Sequence, residues 1–458
     1  MAFGHAEKPE EKLRRGPVKD MLEIADLGDL GLPIRLPRPI RINVARTVAE
    51  GIVRPTITSQ ELSAQLSELT GAASEEFLLS TSIFDFRLQF GDQVLVREAE
   101  KNLPLIVCRD DEVIVNFDIG ATQAFRFDDS KRPIYTYIPG FNIQNIPEAL
   151  RRPLSNFVQS LASPRNIDVI GKYRRLPLTS FEFVMLLLNK ILARSLGYKT
   201  GVFQWPEGKR AVFLSLHDVD TRGFFQRREQ DPLFQLEQKH QIHATWFMPI
   251  KFLKGKEKAM DFLWQSGNEV GWHGYNHDHR LPFKPYADQR VQILRHSWLC
   301  APENFPTGMR TPKLLKSNYL FDLLERSCPA LRYDTSFLQG IVPYYLWVDG
   351  RPSNILEIPT TIPTDILLYN QLYGIPRSRR SATVLEAQIA RTQKLLEVGG
   401  IISIVTHPEK GLTERSDFLD VYDQYLSFIK SCSDIWFATA GELFRYWTRD
   451  SSHATEQS

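Results

Sequence analysis

Three apolar runs in this chain end in ionisable residues. Ala211–Leu216 leads into His217-Asp218-Val219-Asp220, Asn268–Trp272 into His273-Gly274-Tyr275-Asn276-His277, and Ile401–Thr406 into His407-Pro408-Glu409. Asp218-x-Asp220 offers two carboxylates close enough for one to hold a cation while the other accepts a proton; taken alone, the pair fits a turn or a helix cap as well. His273-x-x-x-His277 has the i, i+4 spacing that stacks two imidazoles on one face of a helical turn, a spacing shared by metal ligands and by packing histidines. Two imidazoles and a carboxylate together make a facial set with positions left open for water and substrate, suited to zinc or another divalent first-row metal. Strand alternation turns His217 to the side opposite Asp218, where it packs or supports from behind. His279 is an alternative ligand to His277, and His243 and His296 read as ordinary helix or strand-edge residues. The stretch Tyr344-Tyr345-Leu346-Trp347 suits core packing or stacking on a sugar ring.

The elements that must position these groups form a regular series. Strand-length runs at 211–217, 243–249, 268–272, 355–360, 401–407 and 434–440 alternate with helical patterns. Ala287, Val291, Leu294 and Trp298 mark one helix. Thr383 with Glu386 opens a second, which closes at Gly399-Gly400, and Phe418, Tyr422, Tyr425 and Ile429 mark a third. This rhythm predicts an α/β fold with a distorted or incomplete (β/α) barrel over 205–448, where reactive groups collect at the C-terminal ends of strands. Residues 1–40 read as a tail or arm with little structure of its own, and 449–458 as a C-terminal tail. Residues 41–204 read as an additional N-terminal α/β domain, with a helix opened by Thr58 and Glu61 and closed at Gly71, and a strand pair at 103–108 and 112–120.

Composition excludes several classes. The chain has 458 residues, 43% of them hydrophobic and 24% charged, which is the range of folded globular proteins. Its 56 Lys and Arg against 54 Asp and Glu supply no field for a polyanion, so no nucleic-acid partner is expected. Cys108, Cys300, Cys328 and Cys432 are scattered, suggesting neither a thiolate zinc site nor a disulfide framework. The run Phe181–Leu188 contains Glu182 and stops at Asn189, so no transmembrane segment is expected, and the mixed-charge N-terminus lacks the apolar core of a secretory signal. These features lead to the expectation of a cytoplasmic protein.

Residues 207–447 resemble the polysaccharide deacetylases of carbohydrate esterase family four, in the branch with an Asp-x-Asp first motif. The resemblance implies Asp218 as catalytic base and Asp220 as metal ligand in LSLHDVD, and His273 and His277 as the other ligands in WHGYNHDH. It implies Arg310 in Gly308-Met309-Arg310-Thr311-Pro312 as the arginine that orients the base, and His407 in IVTH as general acid. Leu314 stands where the family has a glycine. Asp334, in Arg332-Tyr333-Asp334-Thr335-Ser336-Phe337, is loosely similar to the family's Asp-and-Trp motif.

Amide hydrolysis needs an activated water, a sink for the developing oxyanion and a proton for the departing amine. A divalent ion on Asp220, His273 and His277 meets the first two needs; Asp218 takes the water's proton and His407 supplies one to the amine. The expected function is therefore metal-dependent hydrolysis of a carbon–nitrogen bond, N-deacetylation of an amino sugar in a glycan or glycolipid precursor, with zinc as first choice and cobalt or nickel as alternatives. A second reading is hydrolysis of a non-sugar amide, cyclic imide or ureide, and a third is a catalytically silent glycan-binding or scaffold protein.

Overall fold

The computed structural model describes residues 21–26, 35–43, 45–71, 73, 77–110, 112–122, 130–138, 175–196, 205–253, 257–277, 279–294, 307–338, 340–348, 351–362, 365, 377–408 and 416–453. Strands β1 Met21–Asp26, β2 Arg35–Asn43, β4 Pro55–Ile57, β6 Gln93–Glu98, β7 Pro104–Arg109 and β8 Glu112–Val115 form a mixed sheet in the order β1-β2-β8-β7-β6-β4, and β3 Thr47–Val53 pairs with β5 Leu79–Phe84. The expected strand pair is thus β7 and β8, antiparallel, with β8 ending at Val115. Residues 21–26 and 35–40, expected to carry little structure, are strands, because β1 pairs with β2 and β2 continues against β8.

Helix α1, Gln60–Thr70, buries Leu62, Leu66 and Leu69 and stops at Gly71 in the left-handed conformation, as expected. Its cap is Ser59, whose side chain accepts from Leu62 N, and not Thr58. The Thr58 hydroxyl instead donates to Val94 O at 2.7 Å, so a cross-strand bond outcompetes the cap. Helix α2, Ser180–Leu196, buries Phe181 through Leu188 continuously and explains the apolar run around Glu182 as core.

The second large sheet comprises β9 Ala211–Asp218, β10 Ala244–Met248, β11 Glu269–Trp272, β12 Gly308–Met309, β13 Tyr333–Asp334, β14 Tyr344–Val348, β15 Arg351–Glu357, β16 Ile401–Thr406 and β17 Ile435–Phe437. Its order is β14-β15-β13-β12-β11-β10-β9-β16, with β17 also on β9. Every pairing is parallel except β14 with β15. All residues of β9, β10 and β16 are buried, which is why these runs are apolar throughout instead of alternating. Beyond β15 the chain passes β16, where Ile362 N donates to Ser403 O at 2.9 Å and Thr361 Oγ1 to Ile401 O at 2.7 Å.

Helices α3 Pro232–Lys239, α4 Glu257–Gln265, α5 Tyr286–Leu294, α6 Asn318–Ser327, α7 Arg377–Val398, α8 Ser416–Ser431 and α9 Ala440–His453 intersperse the strands. Phe418, Tyr422, Tyr425 and Ile429 of α8 are buried together, as their spacing predicts. In α5 the apolar stripe was misplaced: Gln289 and Ile293 are buried while Val291 and Leu294 are exposed, because the Gln289 amide bonds the carbonyls of Pro282 and Lys284; Trp298 lies outside the described residues. Helix α7 begins at Arg377, six residues before the expected cap Thr383, whose hydroxyl bonds Arg379 O inside the helix. It closes before Gly399 at φ 75°. Among the described residues no helix is long and apolar enough to cross a membrane.

Candidate active site

The reactive candidates converge at the C-terminal ends of the parallel strands. Asp218 is the last residue of β9, and Val219 N donates to Phe247 O at 2.9 Å, so the extended pairing continues past the strand. Alternation then sends Asp218 and Asp220 to one side and His217 and Val219, both buried, to the other. His217 behaves as expected: its Nδ1 meets Thr406 Oγ1 at 2.7 Å and its Nε2 meets Glu237 of α3 at 2.9 Å. Glu237 also accepts from Ser215 and from Tyr422. This network ties the strand that carries the aspartates to the one that leads to His407.

His273 follows β11 directly, its N donating to Met248 O at 2.9 Å. Its Nδ1 donates to the Arg310 carbonyl at 2.8 Å, which leaves the Nε2 lone pair facing Asp220 Oδ1 at 3.3 Å. His277 Nε2 lies 2.8 Å from the same oxygen, and the two rings are 5.0 Å apart. The sequence placed this pair on a helical turn. In the structure a non-helical loop makes the approach, with Gly274 and His277 both left-handed at φ 69° and 57°. Glycine is required at 274, where a Cβ would lie 2.9 Å from Pro312 Cγ, while His277 carries the cost of its conformation.

One ligand atom each from Asp220, His273 and His277 lies within 4.8 Å of the others. His273 Nε2 is buried without a hydrogen-bond partner, a state that an imidazole lone pair reaches at little cost only when something else fills its place. The donor set and this orphaned nitrogen fit a divalent cation. Burial pushes the Asp220 carboxyl up, yet the imidazoles of His277 and His273 outweigh it and hold the group well below the usual carboxylate range. His279 stands behind the cluster and is no part of it: its Nε2 meets His277 Nδ1 at 3.1 Å, and burial, with His277 next to it, lowers its pKa to about 2.

Arg310, expected to orient the base, is fully buried. Its N donates to Trp272 O at 2.8 Å, its Nε to Asp218 Oδ2 at 3.0 Å, and its Nη1 to Thr335 O and Thr360 Oγ1. The other Asp218 oxygen, Oδ1, is buried with no hydrogen-bond partner. His407 Nε2 approaches Asp218 Oδ2 at 3.8 Å. Behind it Asp365 accepts from Nδ1 at 2.7 Å and from the backbone N at 3.0 Å. Burial disfavours the charged imidazole, but Asp365, aided by Asp220 and Asp218, raises the His407 pKa to about 10.

Sequence reasoning missed Asp365, which lies beyond the expected end of a strand at 360 and bears no motif of its own; its only signal is a carboxylate a few residues past an apolar run. Asp334 is brought to the same rim but not into the cluster. It is fully buried, bonded to Ser336 and paired in register with Glu357. Tyr344 and Leu346 are core residues. His243 is exposed, as an ordinary edge residue would be, and His296, Cys300 and Glu409 lie outside the described residues.

No protein-family model matches the chain. A peptidoglycan deacetylase of Helicobacter pylori is 31% identical over 143 residues, 30% of this chain and 47% of the relative, so the match spans about half that protein's length. The motif-based resemblance to polysaccharide deacetylases is borne out by this relative. Among solved structures, an allantoinase aligns at a TM-score of 0.46 and 16% identity over 54% of this chain and 92% of its own. A chain described as a probable polysaccharide deacetylase from Pseudomonas aeruginosa aligns at 0.46 and 16% over 54% and 93%.

Proposed function

We propose that this protein is a metal-dependent amide hydrolase that removes the N-acetyl group from an amino sugar, with residues 205–448 acting as a distorted (β/α) barrel and 41–204 as an additional domain. The observation that carries the reading is the meeting of a three-donor cluster, Asp220, His273 and His277, with two further groups of opposite proton demand, Asp218 and His407. The named activity of the Helicobacter pylori relative supports the same substrate class. When bound, a divalent ion, zinc first and cobalt or nickel as alternatives, supplies Lewis-acid chemistry, polarising an acyl oxygen and easing deprotonation of water.

The chain's own residues divide the remaining work. Asp218 holds Arg310 on one oxygen and keeps the other free to accept the water's proton. Arg310, clamped by Thr335 and Thr360, cannot swing away and so fixes the direction of that free oxygen. His407 starts protonated at neutral pH because Asp365 holds it so, and its Nε2 faces the site to give its proton to the departing amine. The Nδ1 bond to the Arg310 carbonyl keeps His273 in the tautomer whose Nε2 can act as a donor atom.

Purified protein loaded in turn with zinc, cobalt and nickel should release acetate from N-acetylglucosamine oligomers and conjugates. Stoichiometric metal with no acetate from any member of that panel would sink the proposal.

A further inference from the structure

Residues 130–138 lie far upstream of the barrel in sequence, yet they are tied to the two loops that carry the site. Ser130 N donates to Lys316 O and Lys316 N to Ser130 Oγ, both at 3.0 Å. Arg280 Nη2 donates to Ile138 O at 2.9 Å. Lys316 stands six residues after Arg310, and Arg280 three after His277. The segment is therefore fastened at both ends to the loops that follow His277 and Arg310.

Between these anchors the segment fixes one aromatic ring. Arg132 bonds Thr136 twice, Nε to Oγ1 and Nη2 to the carbonyl, each at 3.1 Å. Thr136 itself is buried and bonds back to Pro133 O at 2.6 Å. The Arg132 guanidinium lies over the Tyr137 ring at 4.0 Å from its centroid, yet Tyr137 remains 61% exposed. An exposed tyrosine on a loose turn is ordinary. One held by a stacked cation, on a segment pinned to catalytic loops, has already lost the freedom that binding would otherwise remove.

We propose that Tyr137, backed by Arg132, is a stacking platform for a neighbouring pyranose ring of a glycan whose acetylated residue sits at the metal cluster. The assignment rests on the deacetylase reading and sharpens it: the substrate is a chain of N-acetylhexosamines and not a single sugar. The apolar C–H face of a pyranose matches the ring, and the phenol and guanidinium edges meet its hydroxyls. The N-terminal region thereby gains a task, extending the binding surface beyond the strand ends.

The test compares N-acetylglucosamine oligomers of one to five units on the metal-loaded full chain. Tyr137→Ala should raise KM for the longer oligomers by about three- to tenfold with kcat changed less than about twofold, leave the monomer's kcat/KM alone, and be rescued by Tyr137→Trp. Equal effects on monomer and pentamer, or none on either, would overturn the proposal. If no acetate is released from any sugar, the deacetylase reading fails, and calorimetric titration of the same protein with the pentamer decides the platform by itself. Pentamer binding that weakens in Tyr137→Ala supports it; no binding, or binding unchanged by the substitution, overturns it.

Discussion

Two clusters of buried carboxyl groups share the rim of the parallel sheet and reach opposite charge states. Asp218 ends β9 and Asp220 lies two residues on, while Asp334 and Glu357 end β13 and β15 directly opposite each other in register. Both sets are withdrawn from water, and burial pushes Asp220, Asp334 and Glu357 alike toward the neutral form. At Asp220 two imidazoles reverse the effect and the group is held charged. At Glu357 burial is reinforced by the neighbouring Asp334 carboxylate, so its pKa is driven well above the usual range; Lys316, itself lowered by burial, does not offset this. The sign of the neighbour, and not the depth of burial, separates a pair that can hold a cation from one that braces two strands. The brace is felt at the site indirectly, since Thr335, next to Asp334, is one of the groups that clamp Arg310.

The strongest way to break this contrast is to remove an imidazole. His273→Ala takes away a donor atom and one of the groups that keep Asp220 charged. Loss of an outer partner to a metal ligand typically costs about 10–100-fold in metal affinity, so loss of a ligand should exceed about 100-fold. Metal content by elemental analysis and acetate release should fall together. Retention of stoichiometric metal would remove His273 from the cluster.

Asp218→Asn separates the two aspartates. It keeps the shape and the Arg310 contact but cannot accept a proton, so turnover should fall by about 10²–10⁴-fold with metal content unchanged. Loss of metal in this variant would mean that Asp218, and not only Asp220, holds the ion.

Asp365→Asn sharpens the contrast from the cationic side. With Asp365 the His407 pKa is raised to about 10, so the protonated form persists through neutral pH and is lost as pH rises through that value. The stability contributed by the pair follows the same sign: it is complete below the ordinary histidine value near 6.5 and disappears as pH approaches about 10. A bound divalent ion acts against the proton and moves this limb downward. In Asp365→Asn the alkaline limb of kcat/KM should move further down, by at least about one unit, while metal content is retained. An unmoved limb would show that His407 is not the group titrating there.

Most of the site could be read from sequence because each residue sits where an apolar strand stops, and a strand end in a parallel sheet is a place with few alternatives. Asp218, Asp220, His273 and His407 all meet that condition, whereas Arg310 follows a strand of only two residues, Gly308–Met309, and was legible through the motif resemblance alone. The distances between them are set by features that leave weaker marks. His277 reaches Asp220 through a left-handed backbone that its spacing misrepresents as helix, and Asp365 meets His407 from 42 residues away in sequence, with no motif of its own to mark it. Helix α5 shows the same limit for the fold: one satisfied glutamine amide shifts its buried face away from the apolar stripe. The early strands β1 and β2 were illegible because their partners, each other and β8, lie within a Pro-rich stretch or some seventy residues downstream.

Glu357→Gln is the mildest change and probes the neutral cluster directly. The amide matches the protonated carboxyl in size and carries no charge, so acetate release should be unchanged and stability at neutral pH should shift by no more than about 1 kcal/mol. Wild type and variant should part company with pH. A carboxyl whose folded pKa is raised stabilises the fold below its unfolded value, near 4.5, and that contribution is lost as pH rises through the folded value. Glutamine has no proton to lose there. Urea midpoints measured from pH 5 upward should therefore decline on the alkaline side in the wild type and flatten in Glu357→Gln, whereas parallel profiles would show that Glu357 is not raised and that the two clusters do not differ in charge.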